Sequence, residues 1–237
     1  MELNQALRST GAVRDFRPDP VPDDVLYGLL DTARFAPNGG NRQAWRVIVV
    51  RDPATKLALR ELYLPGWYEY LAQRDAGLTP FAPVTDRDAE AAARARADEY
   101  AAAATSAEPG FAERIHEVPA LLVLLADLHD LAALDRDLGR YTLVGGASIY
   151  PFAWSLMLAA HDAGLGGVMT TVAIRREAEL RELFAIPDHV AVAAVLALGY
   201  PAKPRPTKLR RNPVESFTTV DRYDGEPVTG GPGSPRA

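Results

Sequence analysis

Cysteine is absent from all 237 residues, and that one absence removes disulfides, thiolate nucleophiles, iron–sulfur clusters and cysteine-ligated zinc. Redox chemistry in such a chain has to come from a bound cofactor. Histidine is scarce: His116, His129, His161 and His189 stand far apart with no ligand spacing between them, so no metal is expected. A basic excess is missing as well, with 26 Lys and Arg against 31 Asp and Glu and a formal charge of -5. That balance supplies no field for a phosphate backbone or an anionic bilayer, which argues against nucleic-acid and membrane partners. The longest apolar runs, 119–126 and 190–198, fall well short of the roughly 18 residues that cross a bilayer. They read as buried strands. Residues 1–11 carry no basic segment followed by an apolar one, so a cytoplasmic location is expected. Gly145-Gly146-Ala147-Ser148 runs on into Ile149-Tyr150 and does not complete Gly-x-Ser-x-Gly, and no Gly-x-Gly-x-x-Gly occurs. Neither a serine-nucleophile elbow nor a dedicated dinucleotide domain is therefore expected.

What the sequence does have is 48% apolar residues, enough for one sizeable core, in alternating helix and strand patterns. Residues 3–8 make a short helix. Residues 22–35 make a better one, with Val25, Leu26, Leu29, Leu30 and Ala33 on one face and Pro22, Asp23 and Asp24 in its first turn. A β-branched strand at 45–51 follows, then a weaker helix at 54–63 and an irregular aromatic stretch with Trp67, Tyr68 and Tyr70. The Ala-rich segment 88–107 reads as a peripheral helix. A strand at 121–126, a long apolar helix at 143–163 closed by a glycine cap, a strand at 168–172, a helix at 175–184 and a strand at 190–198 complete the series. This order predicts an α/β (α+β) fold, a three-layer α-β-α sandwich about a mixed central sheet. Residues 1–225 form its single domain, 64–118 a variable lid and 200–225 a Pro-rich basic C-terminal arm; 226–237 are expected to be a disordered tail.

The best chemical signal is Ala33-Arg34-Phe35-Ala36-Pro37-Asn38-Gly39-Gly40-Asn41-Arg42-Gln43-Ala44-Trp45. Its glycines permit close approach to a flat ligand, and Asn38, Asn41 and Gln43 carry the amide donors and acceptors a flavin edge requires. Composition alone equally allows an ordinary loop with Asn and Gly chosen for turn geometry. The basic run Lys203, Arg205, Lys208, Arg210 and Arg211 reads either as an anion grip or as a solvated tail. Trp67, Tyr68, Tyr70, Phe81, Tyr100 and Phe111 either shape a flat acceptor site or pack the Ala-rich helix.

The Asn-Gly loop resembles the signature of the FMN-dependent nitroreductase family, a helix ending Ala-Arg-x-Ala-Pro-Ser followed by Asn-x-Gln-Pro-Trp. Further matches come in the family's order: Arg14-Asp15-Phe16 with Pro20-Val21-Pro22, Gly164-Leu165-Gly166-Gly167, and Leu198-Gly199-Tyr200-Pro201 leading into Lys208-Leu209-Arg210. The resemblance implies a homodimeric FMN enzyme that takes hydride from NADH or NADPH and reduces a small-molecule substrate. It places Arg14 near the flavin N1 and O2, and Pro37, Asn38, Gly39, Asn41 and Gln43 in a cofactor-contacting loop that reaches across the dimer. It places Gly166 and Gly167 in a turn beneath N5, and Lys208 and Arg210 on the phosphate. No catalytic side chain is implied. Two departures stand out: Thr10-Gly11-Ala12-Val13 lacks the arginine usual before Val-Arg, for which Arg8 is the substitute, and Asn38 and Ala44 stand where Ser and Pro are common. A specialised oxidase or dehydrogenase, a flavin-fragmenting or dehalogenating relative, and a non-catalytic FMN-sequestering protein are the alternatives.

Overall fold

Two aliphatic runs form the centre of the molecule, β2 (Ala120–Asp127) and β4 (Val190–Gly199), in a computed structural model that describes residues 2–204 and 209–230. They are flanked by β1 (Trp45–Val50) and β3 (Gly166–Thr170), so the sheet order is β1-β2-β4-β3. Side chains of a strand alternate between faces, and β2 divides its own accordingly. Leu122, Leu124 and Ala126 enter one core with Leu26, Leu29, Phe152 and Leu156. Leu121, Val123 and Leu125 enter the other with Leu59, Tyr63, Ile115 and Leu180. A bulge at Leu124/Leu125 of β2 leaves Ala193 of β4 without a paired residue, and its carbonyl accepts the Tyr150 hydroxyl at 3.2 Å.

The first core is covered by α2 (Asp23–Ala33) and α6 (Tyr150–Asp162), with α1 (Leu3–Ser9) packed on α6. The second is covered by α3 (Pro53–Asp75) and α7 (Glu177–Phe184). Helices α4 (Arg87–Arg94) and α5 (Ala97–Ala104) pack outside α3. The expected three layers are thus present. All the named strand pairs run antiparallel; the parallel component among the described residues is the isolated bridge between Ala12 and Gly167.

Several expected boundaries move for physical reasons. The aromatic stretch is helical, because α3 continues through Pro65 with Tyr63, Trp67 and Tyr70 stacked along one side at centroid distances of 6.5 and 5.3 Å. Those contacts and the burial of Tyr63, Gly66 and Tyr68 offset the hydrogen bond that proline removes. The Ala-rich segment breaks into α4 and α5 around Ala95 and Arg96. The helix expected from residue 143 begins at Tyr150, after a 3-10 turn over Val144–Ser148. Its cap is as expected: Gly164 has φ +83° and the Leu165 amide donates to the Ala160 carbonyl at 2.8 Å.

The C-terminal arm lies on the chain's own N-terminal segment. Arg17 donates to Tyr200, Ala202 to Asp15 and Leu209 to Arg8, each through backbone groups at 2.8–3.0 Å. Farther along it Val214, Phe217 and Tyr223 are exposed. Glu226 and Val228, expected within a disordered tail, bond to Val220 and Thr218; residues 231–237 lie outside the described residues. No helix of the described residues is long and apolar enough to cross a membrane.

Candidate functional site

The expected site residues gather in two groups at opposite corners of the sheet. The first is built around the start of β3. Val13 donates its amide to the Gly167 carbonyl at 2.8 Å, so the segment carrying Arg14 runs beside the Gly166–Gly167 edge. Arg14 itself is exposed and has no acidic partner among the described residues. The Leu209 amide bonded to the Arg8 carbonyl at 3.0 Å brings Arg8 and Arg210 to the same side, where Arg210 and Arg211 line an open cavity of about 650 Å³ with Leu209 and Asn212. Lys208 lies outside the described residues. The backbone thus brings the segments carrying Arg8, Arg14 and Arg210 to one corner, where the neighbouring Asp15 is already paired with Lys203 at 2.9 Å, and guanidinium groups there suit an anion.

Gly166 and Gly167 are the first two residues of β3, whereas the turn before it is made by Gly164. A Cβ at Gly166 would lie 2.5 Å from Val13 Cγ2, and one at Gly167 would lie 2.5 Å from both the Ala197 carbonyl oxygen and Leu198 Cδ2. The glycines are thus demanded by close packing of the chain on itself, a reason different from the one expected.

The second group is the loop ahead of β1. Gly40, Asn41 and Gln43 all have positive φ, at 62°, 53° and 52°, a conformation that costs a non-glycine residue and collects at functional sites. Asn38 holds it there: Oδ1 accepts the Gln43 amide at 2.9 Å and Nδ2 donates to the Ala36 carbonyl at 3.2 Å. Pro37, Gly39, Asn41 and Gln43 are exposed, so the loop carries the side-chain carboxamides of Asn41 and Gln43 at the surface, the Gln43 group donating to the Asn41 carbonyl at 3.3 Å.

The sequence reading passed over the residues beneath this loop. Ser148 Oγ accepts the Gly39 amide at 3.0 Å; the run containing it is notable in sequence only as an incomplete serine-nucleophile pattern. Buried Asp135 in turn fixes the start of that 3-10 turn. It accepts the amides of Leu143 at 2.8 Å and Val144 at 3.2 Å and pairs with Arg140 at 2.7 Å. The Leu143 amide first, then Arg140 and the Val144 amide, hold its carboxyl below the usual 3.8. A depressed carboxyl stabilises the fold above its ordinary value and loses that contribution as pH falls through the folded one. Acid titration is accordingly expected to loosen the loop below about pH 4, and Asp135→Asn to loosen it at neutral pH, both read as weaker cofactor retention with β-sheet dichroism unchanged.

The separation of the two groups follows from strand register. Trp45, just after the loop, lies level with Ala126 and Ala191 at one end of β4, while Gly166 pairs with Gly199 at the other end. Eight strand steps and three strand spacings place the corners about 25 Å apart along β4 and about 14 Å apart across the sheet. Helix α6 shows the same split: the loop touches Ser148 before its first turn, and Ser9 Oγ meets His161 Nε2 in its last, at 3.0 Å.

Of the lid aromatics, Tyr68 is buried with its hydroxyl on Glu113 at 3.3 Å, and Tyr100 donates to Asp75 at 3.1 Å. These two do packing work. Phe111 lines a crevice with Arg14, Arg114, Asp15 and Glu117 and so borders the corner that carries Arg14. Tyr63, whose phenol burial pushes to a higher pKa, bonds Thr170 at 3.1 Å at the end of β3.

The model of the nitroreductase family matches residues 7–200. An NADH dehydrogenase of Thermus thermophilus is 33% identical over 203 residues, 86% of this chain and 88% of that protein. Among solved structures, an iodotyrosine deiodinase bound to FMN and 3-iodo-L-tyrosine is similar at TM-score 0.60 and 24% identity, over 94% of this chain and 99% of that one. An NADPH:FMN oxidoreductase of Vibrio harveyi, complexed with NAD+, is similar at TM-score 0.61 and 17% identity, over 93% and 77% of the two chains. The match over most of its length shows that the chain belongs to the nitroreductase family.

Proposed function

We propose that this chain is an FMN-dependent NAD(P)H oxidoreductase whose two flavin sites form between two copies of it. The observation that carries this reading is the separation of the two corners. One flavin mononucleotide cannot touch both Arg14 and the Asn38–Gln43 loop of the same chain, yet each corner has half of what the cofactor needs. A second copy related by a two-fold axis sets its loop against the cationic corner of the first, and the reverse contact completes the other site. Supporting this, α2 and α6 expose Tyr27 and Trp154, Phe35 follows α2, and the arm carries exposed Val214, Phe217 and Tyr223. Exposed aromatic area of this kind marks a contact surface.

The residues fit FMN. Arg8, Lys208 and Arg210 bind the phosphate. Arg14 would supply the positive charge that stabilises the flavin when reduction makes it anionic. The exposed carboxamides of Asn41 and Gln43 would bond polar groups of the cofactor. When bound, FMN supplies hydride transfer through N5, from a nicotinamide donor to a small oxidant such as a nitroaromatic, quinone or enone. The chain's part is to stack, orient and hold charge, with no acid–base side chain, and one open face serves donor and oxidant in turn. Steady-state rates with NADPH and a quinone at several fixed concentrations test this: parallel double-reciprocal lines are expected, and intersecting lines or no turnover would refute it. A monomer that retains full FMN would refute the shared site.

A further inference from the structure

His189 lies far in sequence from Asp127 and His129, and the fold unites the three. Asp127 is the last residue of β2 and pairs with Val190, the first of β4. Residue 129 follows Asp127 by two, and His189 immediately precedes β4, with the Leu128 amide donating to the His189 carbonyl at 2.8 Å. The two imidazoles stack at 4.4 Å between centroids, and His129 Nδ1 is 3.8 Å from Asp127 Oδ1. One potential ligand atom from each residue lies within 4.8 Å of the other two.

We infer that this cluster is a binding site for a late first-row divalent cation of the Co²⁺, Ni²⁺ or Zn²⁺ type. Two imidazoles and one carboxylate suit such ions, whereas Mg²⁺ and Ca²⁺ prefer sites made of oxygen. The carboxylate is oriented from behind. Arg46 donates to Asp127 Oδ2 at 3.3 Å, and the His129 amide donates to Oδ1 at 3.1 Å, on the side of the imidazoles. Asp130, 3.5 Å from Arg46, offsets the guanidinium charge that would otherwise repel a cation. The scaffold is stiff, since Asp127 also donates its amide to the Ala44 carbonyl at 2.7 Å, which ties three strands together. Both imidazoles are exposed. Small rotations of exposed rings can therefore bring three ligand atoms onto one ion, with the solvent side left to water. Because Asp127 is joined to Ala44 and Arg46 also donates to the Gln43 carbonyl at 3.1 Å, the site abuts the loop ahead of β1 without using any of its proposed cofactor contacts.

The test is titration of the untagged protein with Co²⁺, followed by visible d–d absorption, beside the same titration of His129→Asn and His189→Asn. One ion per chain is expected, with a new visible band, and each variant is expected to weaken binding at least about tenfold, the scale on which even outer-shell partners act. Both substitutions replace exposed side chains, and the thermal unfolding midpoint of each is measured alongside. Absence of a band at millimolar Co²⁺, or binding that both variants leave unchanged, overturns the inference. The readout needs neither flavin nor turnover, so its failure would leave the proposed enzyme function standing.

Discussion

Gly167→Ala is expected to lower the unfolding free energy by about 1–3 kcal/mol, as overpacking of a filled site does, and to strip the protein of most of its FMN. The added Cβ would sit 2.5 Å from the Ala197 carbonyl oxygen, a backbone atom held in the β3–β4 pairing and unable to step aside. Yielding there moves β3 away from β4, and Val13, bonded to the Gly167 carbonyl, moves with it. Arg14 then leaves its place beside the strand. Gly28→Ala is the control. It lies in α2 with nothing within 4 Å of the new Cβ, and is expected to raise stability by about 0.5–1 kcal/mol, the helical advantage of alanine over glycine. Chemical denaturation of the two variants, with flavin content measured on each, separates them. Equal stability of the two would contradict the packing described here.

Asn38→Ala is expected to weaken FMN binding about tenfold or more while leaving the core intact. Its side chain makes two bonds inside the loop, to the Gln43 amide and the Ala36 carbonyl, and each contributes about 0.5–1.5 kcal/mol. Together they hold Gly40, Asn41 and Gln43 in left-handed conformations, which glycine and asparagine tolerate and glutamine adopts at a cost. Without them the loop relaxes, and binding has to restore the order. Asn38→Asp keeps the acceptor for Gln43 and loses the donor to Ala36, so it is expected to fall between alanine and the natural residue. Fluorescence titration of the apoprotein with FMN gives the order of the three. An alanine variant that binds FMN as the natural protein does would show that Asn38 has no part in shaping the loop.

Much of this architecture is legible in the chain itself. The runs at β2 and β4 are apolar on both faces because helices cover both faces, and the Asn-Gly loop announces itself by composition. Three things are not legible. The helix expected at 54–63 stops short of Pro65, and only the stacking of Tyr63, Trp67 and Tyr70 shows why α3 runs through it. Ser148 and Asp135 act through the Gly39 amide and the Leu143 amide, contacts between segments whose spacing in sequence carries no pattern. Gly166 and Gly167 are recognisable as a motif, but the reason for them, Val13 on one side and Ala197 on the other, exists only once three strands are assembled. His129 and His189 likewise become neighbours only through the pairing of β2 with β4.

The central claim is that two copies of this chain hold FMN and pass electrons from a nicotinamide donor. The most direct test is the visible spectrum of the purified protein, reconstituted with FMN and followed anaerobically as NADPH and then NADH are added. Flavin bands that bleach with either donor are the predicted result. Bands that persist with both donors would point to sequestration or to an oxidase reduced by its own substrate, and a protein that takes up no flavin would contradict the account at its base.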